Sequence, residues 1–121
     1  MDNKQKKILV VDDDLDILSF IQAMLEDAGY SVATMDRGES LENLSNNDTP
    51  QMIVLDMLLS GSDGRKLISQ LKNQDGTKHI PVILLLAHPS AEKEARAYGA
   101  DDFMAKPFEM DDFLATVARY V

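Results

Sequence analysis

The sequence predicts an α/β fold, one domain built on a parallel sheet of five strands with helices on both faces. Two observations carry this. Short apolar runs recur at residues 8–11, 30–35, 52–55 and 82–86 and around Phe103, and segments of helical period lie between them. The runs are continuous rather than alternating, the pattern of strands covered on both sides. Right-handed crossovers then make the sheet doubly wound.

Each helix has its own signature. After the first run, Ile17, Phe20, Ile21, Met24, Leu25 and Ala28 form one apolar stripe, with Asp14 or Asp16 as candidate cap and Gly29 as stop. Leu41 and Leu44 mark a short second helix, and Leu67, Ile68 and Leu71 a third. A weaker fourth carries Ala91, Ala95 and Tyr98 and ends at Gly99. Phe113, Leu114, Val117, Ala118 and Val121 mark the last.

Composition narrows the function. The 121 residues suit a single core, so residues 1–121 are expected to form one domain. There is no Cys, which excludes disulfides and thiolate metal sites. No run reaches the roughly 18 apolar residues of a membrane span, and the N-terminus lacks a signal-peptide core, so a soluble cytoplasmic protein is expected. Twelve basic against 21 acidic residues, net −9, argue against nucleic-acid binding by this domain and favour cations or basic protein surfaces. Two glycosylation sequons, at residues 43–45 and 47–49, read as chance matches without a secretion signal.

The chemistry gathers at strand ends. "KKILVVDDDLD" breaks from an apolar run into Asp12, Asp13 and Asp14. Adjacent acids repel one another, so something must offset their charge. The third run ends in Asp56, and the fifth is followed by Lys106 and Pro107. In a parallel sheet Asp12, Asp13, Asp56 and Lys106 converge on one edge, where ligands of such sheets bind. Crowded carboxylate oxygens suit Mg²⁺, which keeps several waters. Beside it, an ionised Asp can act as nucleophile towards a phosphoryl group, and a lysine can supply a point charge. Singly, each residue has a bland reading: a helix cap, a loop acid, a surface lysine. Their joint placement is what points to chemistry.

Other motifs fail. A calcium loop starting at Asp12 would have Ile17 in place of its Gly and Ala23 in place of its Glu. "GSDGRKL" lacks P-loop spacing. With only His79 and His88 present, no Ser-His-Asp triad is readable.

"KILVVDDD", "IVLDMLLSGSDG" and "GADDFMAKPF" resemble, in order and spacing, the receiver domain of two-component response regulators. The resemblance implies a flavodoxin-like strand order, 2-1-3-4-5, and phosphoryl transfer from the phosphohistidine of a sensor histidine kinase or histidine phosphotransfer protein. It makes Asp56 the phosphoacceptor. Asp12, Asp13, Asp56 and the Leu58 backbone carbonyl would hold Mg²⁺ or Mn²⁺. Lys106 would contact the phosphoryl group, with Pro107 after a cis bond. Phe103 takes the aromatic switch position and Gly64 the loop glycine. Such a domain is a signalling switch rather than a turnover enzyme. Receivers often pair through the fourth and fifth helices, so a homodimer is a further expectation.

Two positions depart from the family pattern. Leu86 stands where Thr or Ser is usual, followed by Ala87, and Ser60 where Pro is usual. Leu cannot donate a hydrogen bond, and its methyls are expected to lie near the phosphoryl group. A missing donor costs about 1–3 kcal/mol. Phosphorylation with altered coupling to Phe103 is the expectation. Leu58 and His88 lie at positions that tune water access in receivers, and Leu58 is expected to slow hydrolysis. One alternative is a pseudo-receiver, a binding module indifferent to phosphate. A haloacid-dehalogenase-type phosphatase using Asp12 and Asp14 leaves Asp56 unexplained.

Overall fold

The structure, a computed structural model, describes residues 7–36, 50–59 and 62–121. Strands β1 (Lys7–Val11), β2 (Ser31–Met35), β3 (Met52–Asp56), β4 (Val82–Leu86) and β5 (Asp102–Ala105) form one parallel sheet in the order 2-1-3-4-5. Helices α1 (Leu15–Asp27), α2 (Gly64–Lys72), α3 (Glu92–Ala97) and α4 (Met110–Ala118) complete the described elements, with a 3₁₀ turn at Pro89–Ala91 and a two-residue antiparallel ladder joining Leu58–Leu59 to Ser62–Asp63. The expected helix at Leu41 and Leu44, both sequons and Ser60 lie outside the described residues.

Side-chain alternation along the strands builds two apolar layers. Leu9, Val11, Ile53, Leu55, Val82, Leu84 and Leu86 face α2 and α3, meeting Leu67, Ile68, Leu71 and Ala95. Ile8, Val10, Met52, Val54, Ile83 and Leu85 face α1 and α4, meeting Leu18, Ile21, Met24, Leu25, Phe113 and Val117. Burial on both faces is why β1, β3 and β4 read as continuous apolar runs. Edge strand β2 is only partly buried.

The first helix turns slightly from its expected face. Leu18 is buried, whereas Phe20 is 53% exposed and lines a surface groove with Ala23, Met24, Asp27 and Met110. A broad apolar stripe holds more residues than the sheet can cover, and Phe20 falls at its margin. On α4, Ala118 is exposed, while Thr116 is buried with its hydroxyl donating to the Asp112 carbonyl at 2.9 Å. Asp14, rather than Asp16, caps α1: its Oδ1 accepts from the backbone N–H groups of Asp16 (3.0 Å) and Ile17 (3.3 Å). Gly29 and Gly99 end their helices at φ +100°, a conformation that favours glycine.

Candidate functional site: an acidic pocket at the carboxyl edge

Strand register brings the site together. Val11 pairs with Leu55, so Asp12 and Asp56 stand side by side one step further on, and the Asp12 N–H extends the edge by donating to the Met35 carbonyl at 3.1 Å. Leu86 pairs with Ala105, and the Lys106 N–H donates to the Leu86 carbonyl at 2.8 Å. By alternation Asp12, Asp56 and Lys106 follow the face of Val10, Val54 and Met104. Neighbouring strands are about 4.8 Å apart, so crossing from β5 past β4 takes a side chain as long as lysine.

Asp12 is fully buried, and Asp56 is 7% exposed. Lys106 Nζ lies 3.1 Å from Asp12 Oδ2 and 3.5 Å from Asp56 Oδ1. Asp12 Oδ1 accepts the Asp14 N–H at 2.9 Å, so both Asp12 oxygens have partners. Burial acts to lower the Lys106 pKa, but the Asp12 hydrogen bond and the negative charges of Asp56 and Asp12 outweigh it, and the ammonium is held above its ordinary value. Ligand oxygens of Asp12, Asp13 and Asp56 all lie within 4.8 Å of one another. An all-oxygen set with Asp13 the most open to solvent fits a hard, partly hydrated cation such as Mg²⁺.

The acidic triplet therefore divides its work. Asp12 sits in the pocket, Asp13 at its mouth, and Asp14 is engaged by helix N–H groups.

The remaining expected residues fall around this edge. Leu58 lies two residues past Asp56, paired with Asp63, and Gly64 opens α2. The Lys106–Pro107 bond is cis. Leu86 is fully buried in the layer facing α2 and α3, the opposite face from Asp56 and Lys106. This placement assigns its methyls to the core, not to the pocket as the sequence suggested. Phe103 packs partly buried against that same layer. Ala87 and His88 are exposed, and His88 Nδ1 lies 3.0 Å from Ser90 Oγ. Sequence reasoning missed Arg96, whose guanidinium carbon lies 4.7 Å from the Phe103 ring centroid.

Strand order, register and pocket together define a receiver-type fold. The response regulator receiver domain family matches residues 8–118, and the chain belongs to that family. It is 37% identical over 118 residues to the C4-dicarboxylate transport transcriptional regulatory protein DctD of Pseudomonas aeruginosa, covering 95% of this chain and 25% of that protein. It is 33% identical over 114 residues to the phosphate regulon transcriptional regulatory protein PhoB of Escherichia coli, covering 93% and 50%. The chain thus spans half or less of these two relatives. Among solved structures, the chemotaxis response regulator CheY4 of Vibrio cholerae superposes with a TM-score of 0.87 at 29% identity, covering 96% of this chain and 98% of that one. The receiver domain of the sensor histidine kinase PA1611 of Pseudomonas aeruginosa, with a magnesium ion in its active-site cleft, gives 0.85 at 25% identity, covering 95% and 96%. Receiver domains are signalling domains that bind Mg²⁺ at an acidic pocket and interact with histidine kinases or phosphotransfer proteins. No helix among the described residues is long and apolar enough to cross a membrane.

Proposed function

We propose that this chain is a working phosphoacceptor: Asp56 takes a phosphoryl group from the phosphohistidine of a sensor histidine kinase or histidine phosphotransfer protein. A carboxylate oxygen of Asp56 forms the new P–O bond as the P–N bond to the histidine breaks, and the donor imidazole leaves. Lys106 carries the observation that supports this reading best. It spans from β5 to within 3.1 Å of Asp12 and 3.5 Å of Asp56, so its ammonium already stands where phosphoryl oxygens would gather. Asp12, Asp13, Asp56 and the Leu58 carbonyl are the residues we assign to Mg²⁺ or Mn²⁺. The ion, when bound, neutralises charge on the phosphoryl oxygens. Asp12, whose own oxygens are both engaged, keeps the pocket's shape while Asp56 reacts.

In this reading Leu58 slows hydrolysis of the aspartyl phosphate, and the exposed His88 bears on its lifetime. The chain works as one receiver in the cytoplasm, acts on itself rather than turning over substrate, and binds no nucleic acid through this domain. Copies pair through α3 and α4, which sedimentation before and after phosphorylation would test.

Leu86 favours a second reading. Fully buried and without a donor, it cannot be drawn towards a phosphoryl group as a hydroxyl can. The coupling from Asp56 to Phe103 is accordingly altered, and in the limit the chain is a pseudo-receiver whose output ignores phosphate.

Incubation with acetyl phosphate, with and without Mg²⁺, followed by intact mass and peptide mapping, separates the two. We expect an adduct that needs Mg²⁺, maps to Asp56 and vanishes in Asp56→Asn. No adduct, with Mg²⁺ binding intact, would leave the pseudo-receiver reading. In Leu86→Thr, the phosphorylation-dependent change in Phe103 ring signals should exceed that of the wild type.

A further inference from the structure

We infer that Arg96 is the positioning residue for Phe103, clasping its ring against the sheet from the outside. The guanidinium carbon lies 4.7 Å from the ring centroid, within range for a cation–π contact. A planar guanidinium stacks on a ring in a way an ammonium does not. Glu92, one turn earlier on α3, fixes the other side of Arg96 with an Nε–Oε2 contact of 3.3 Å. The clasp thus runs from Glu92 through Arg96 to Phe103, joining α3 to β5.

On the sheet side Phe103 pairs in register with Leu84, and Leu86 is the diagonal neighbour towards the carboxyl edge. Both leucines are fully buried on the face against which Phe103 packs. A ring moving along its face towards the carboxyl edge meets Leu86, and a ring leaving outwards must break the guanidinium contact. Phe103 is therefore flanked by Leu86 on one side and Arg96 on the other. The signalling consequence rests on the receiver reading above: the α3–β5 surface is set by the Arg96 clasp, and phosphorylation acts on it by opening or tightening that contact. The geometry itself does not depend on that reading.

The test uses the unphosphorylated protein. Side-chain NMR should find the Arg96 δ protons shifted upfield by the ring, and that shift should disappear in Phe103→Leu. Arg96→Ala should move the Phe103 ring signals towards averaged values. Arg96→Lys should restore them only in part, and Lys93→Ala, on the exposed surface of the same helix, should leave them in place. Ala at the exposed position 96 keeps the helix, since its propensity exceeds that of Arg. Phe103 ring signals unchanged in Arg96→Ala, or Arg96 protons at random-coil positions in the wild type, would overturn the clasp. Parallel acetyl phosphate labelling keeps the two ideas apart: an unlabelled wild type sinks the phosphoacceptor reading and leaves the ring data untouched.

Discussion

Two lysine–aspartate pairs close opposite edges of the same sheet, and they do different things. At the amino edge, Lys72 at the end of α2 reaches Asp101 at 2.7 Å and the Ile80 carbonyl at 2.8 Å. Asp101 Oδ2 in turn accepts the Val82 N–H at 2.8 Å. One acid meets one base, and a backbone N–H and a backbone carbonyl add to the pair, so the cluster pins α2 to the starts of β4 and β5. At the carboxyl edge, Lys106 faces Asp12 and Asp56, with Asp13 close by. Among those four groups three are acids and one is basic. The same two residue types make a staple where charge is balanced and a candidate cation site where it is not.

Removing each lysine should separate the roles. Lys106→Met leaves the fully buried Asp12 without its ammonium, and we expect a loss of about 2–4 kcal/mol in chelator, below the full figure for a buried pair because Lys106 keeps some solvent contact. Its labelling by acetyl phosphate should fall steeply. Lys72→Met should cost less, about 1–2 kcal/mol, because Asp101 retains the Val82 N–H and more solvent. Its labelling should stay at the wild-type level. Urea unfolding and mass spectrometry read both variants, and equal labelling of the two would erase the distinction.

Mg²⁺ should sharpen the contrast. A ligand bound only by the folded state at a hundred times its Kd stabilises by about 2.7 kcal/mol. We expect a rise of that order in wild type and in Lys72→Met, and little response in Asp13→Asn, measured by urea unfolding in Mg²⁺ against EDTA. An undiminished response in Asp13→Asn would place the cation elsewhere.

How much of this was legible depends on the distance each feature spans. The apolar runs of β1, β3 and β4 were legible because burial on both faces leaves no room for alternation. The acids at strand ends were legible because parallel strands put like ends together, yet the step from Lys106 to Asp12 needs the 2-1-3-4-5 order, which came from resemblance. Phe20 was misread because periodicity gives a stripe and not its margin. The face of Leu86 follows from alternation along β4, but at a strand's last residue its local sequence marks no face. The Arg96–Phe103 and Lys72–Asp101 contacts join residues of different elements that no period links.

The smallest expected effect concerns pH, and it tests whether Lys106 is the charge that matters at its edge. Burial works to lower its pKa, while the Asp12 hydrogen bond and the charges of Asp56 and Asp12 raise it by more, so the folded value stands above the unfolded one. A base whose pKa is raised on folding contributes stability that is fully present below its unfolded pKa, about 10.4 for lysine. That contribution fades as pH climbs through the folded value. The stability difference between wild type and Lys106→Met, followed by urea unfolding in EDTA, should therefore hold level from about pH 8 to about pH 10 and shrink only beyond the free lysine value. A difference already shrinking between about pH 6 and pH 8 would assign the titration to a group other than a lysine, because no unperturbed lysine changes charge there.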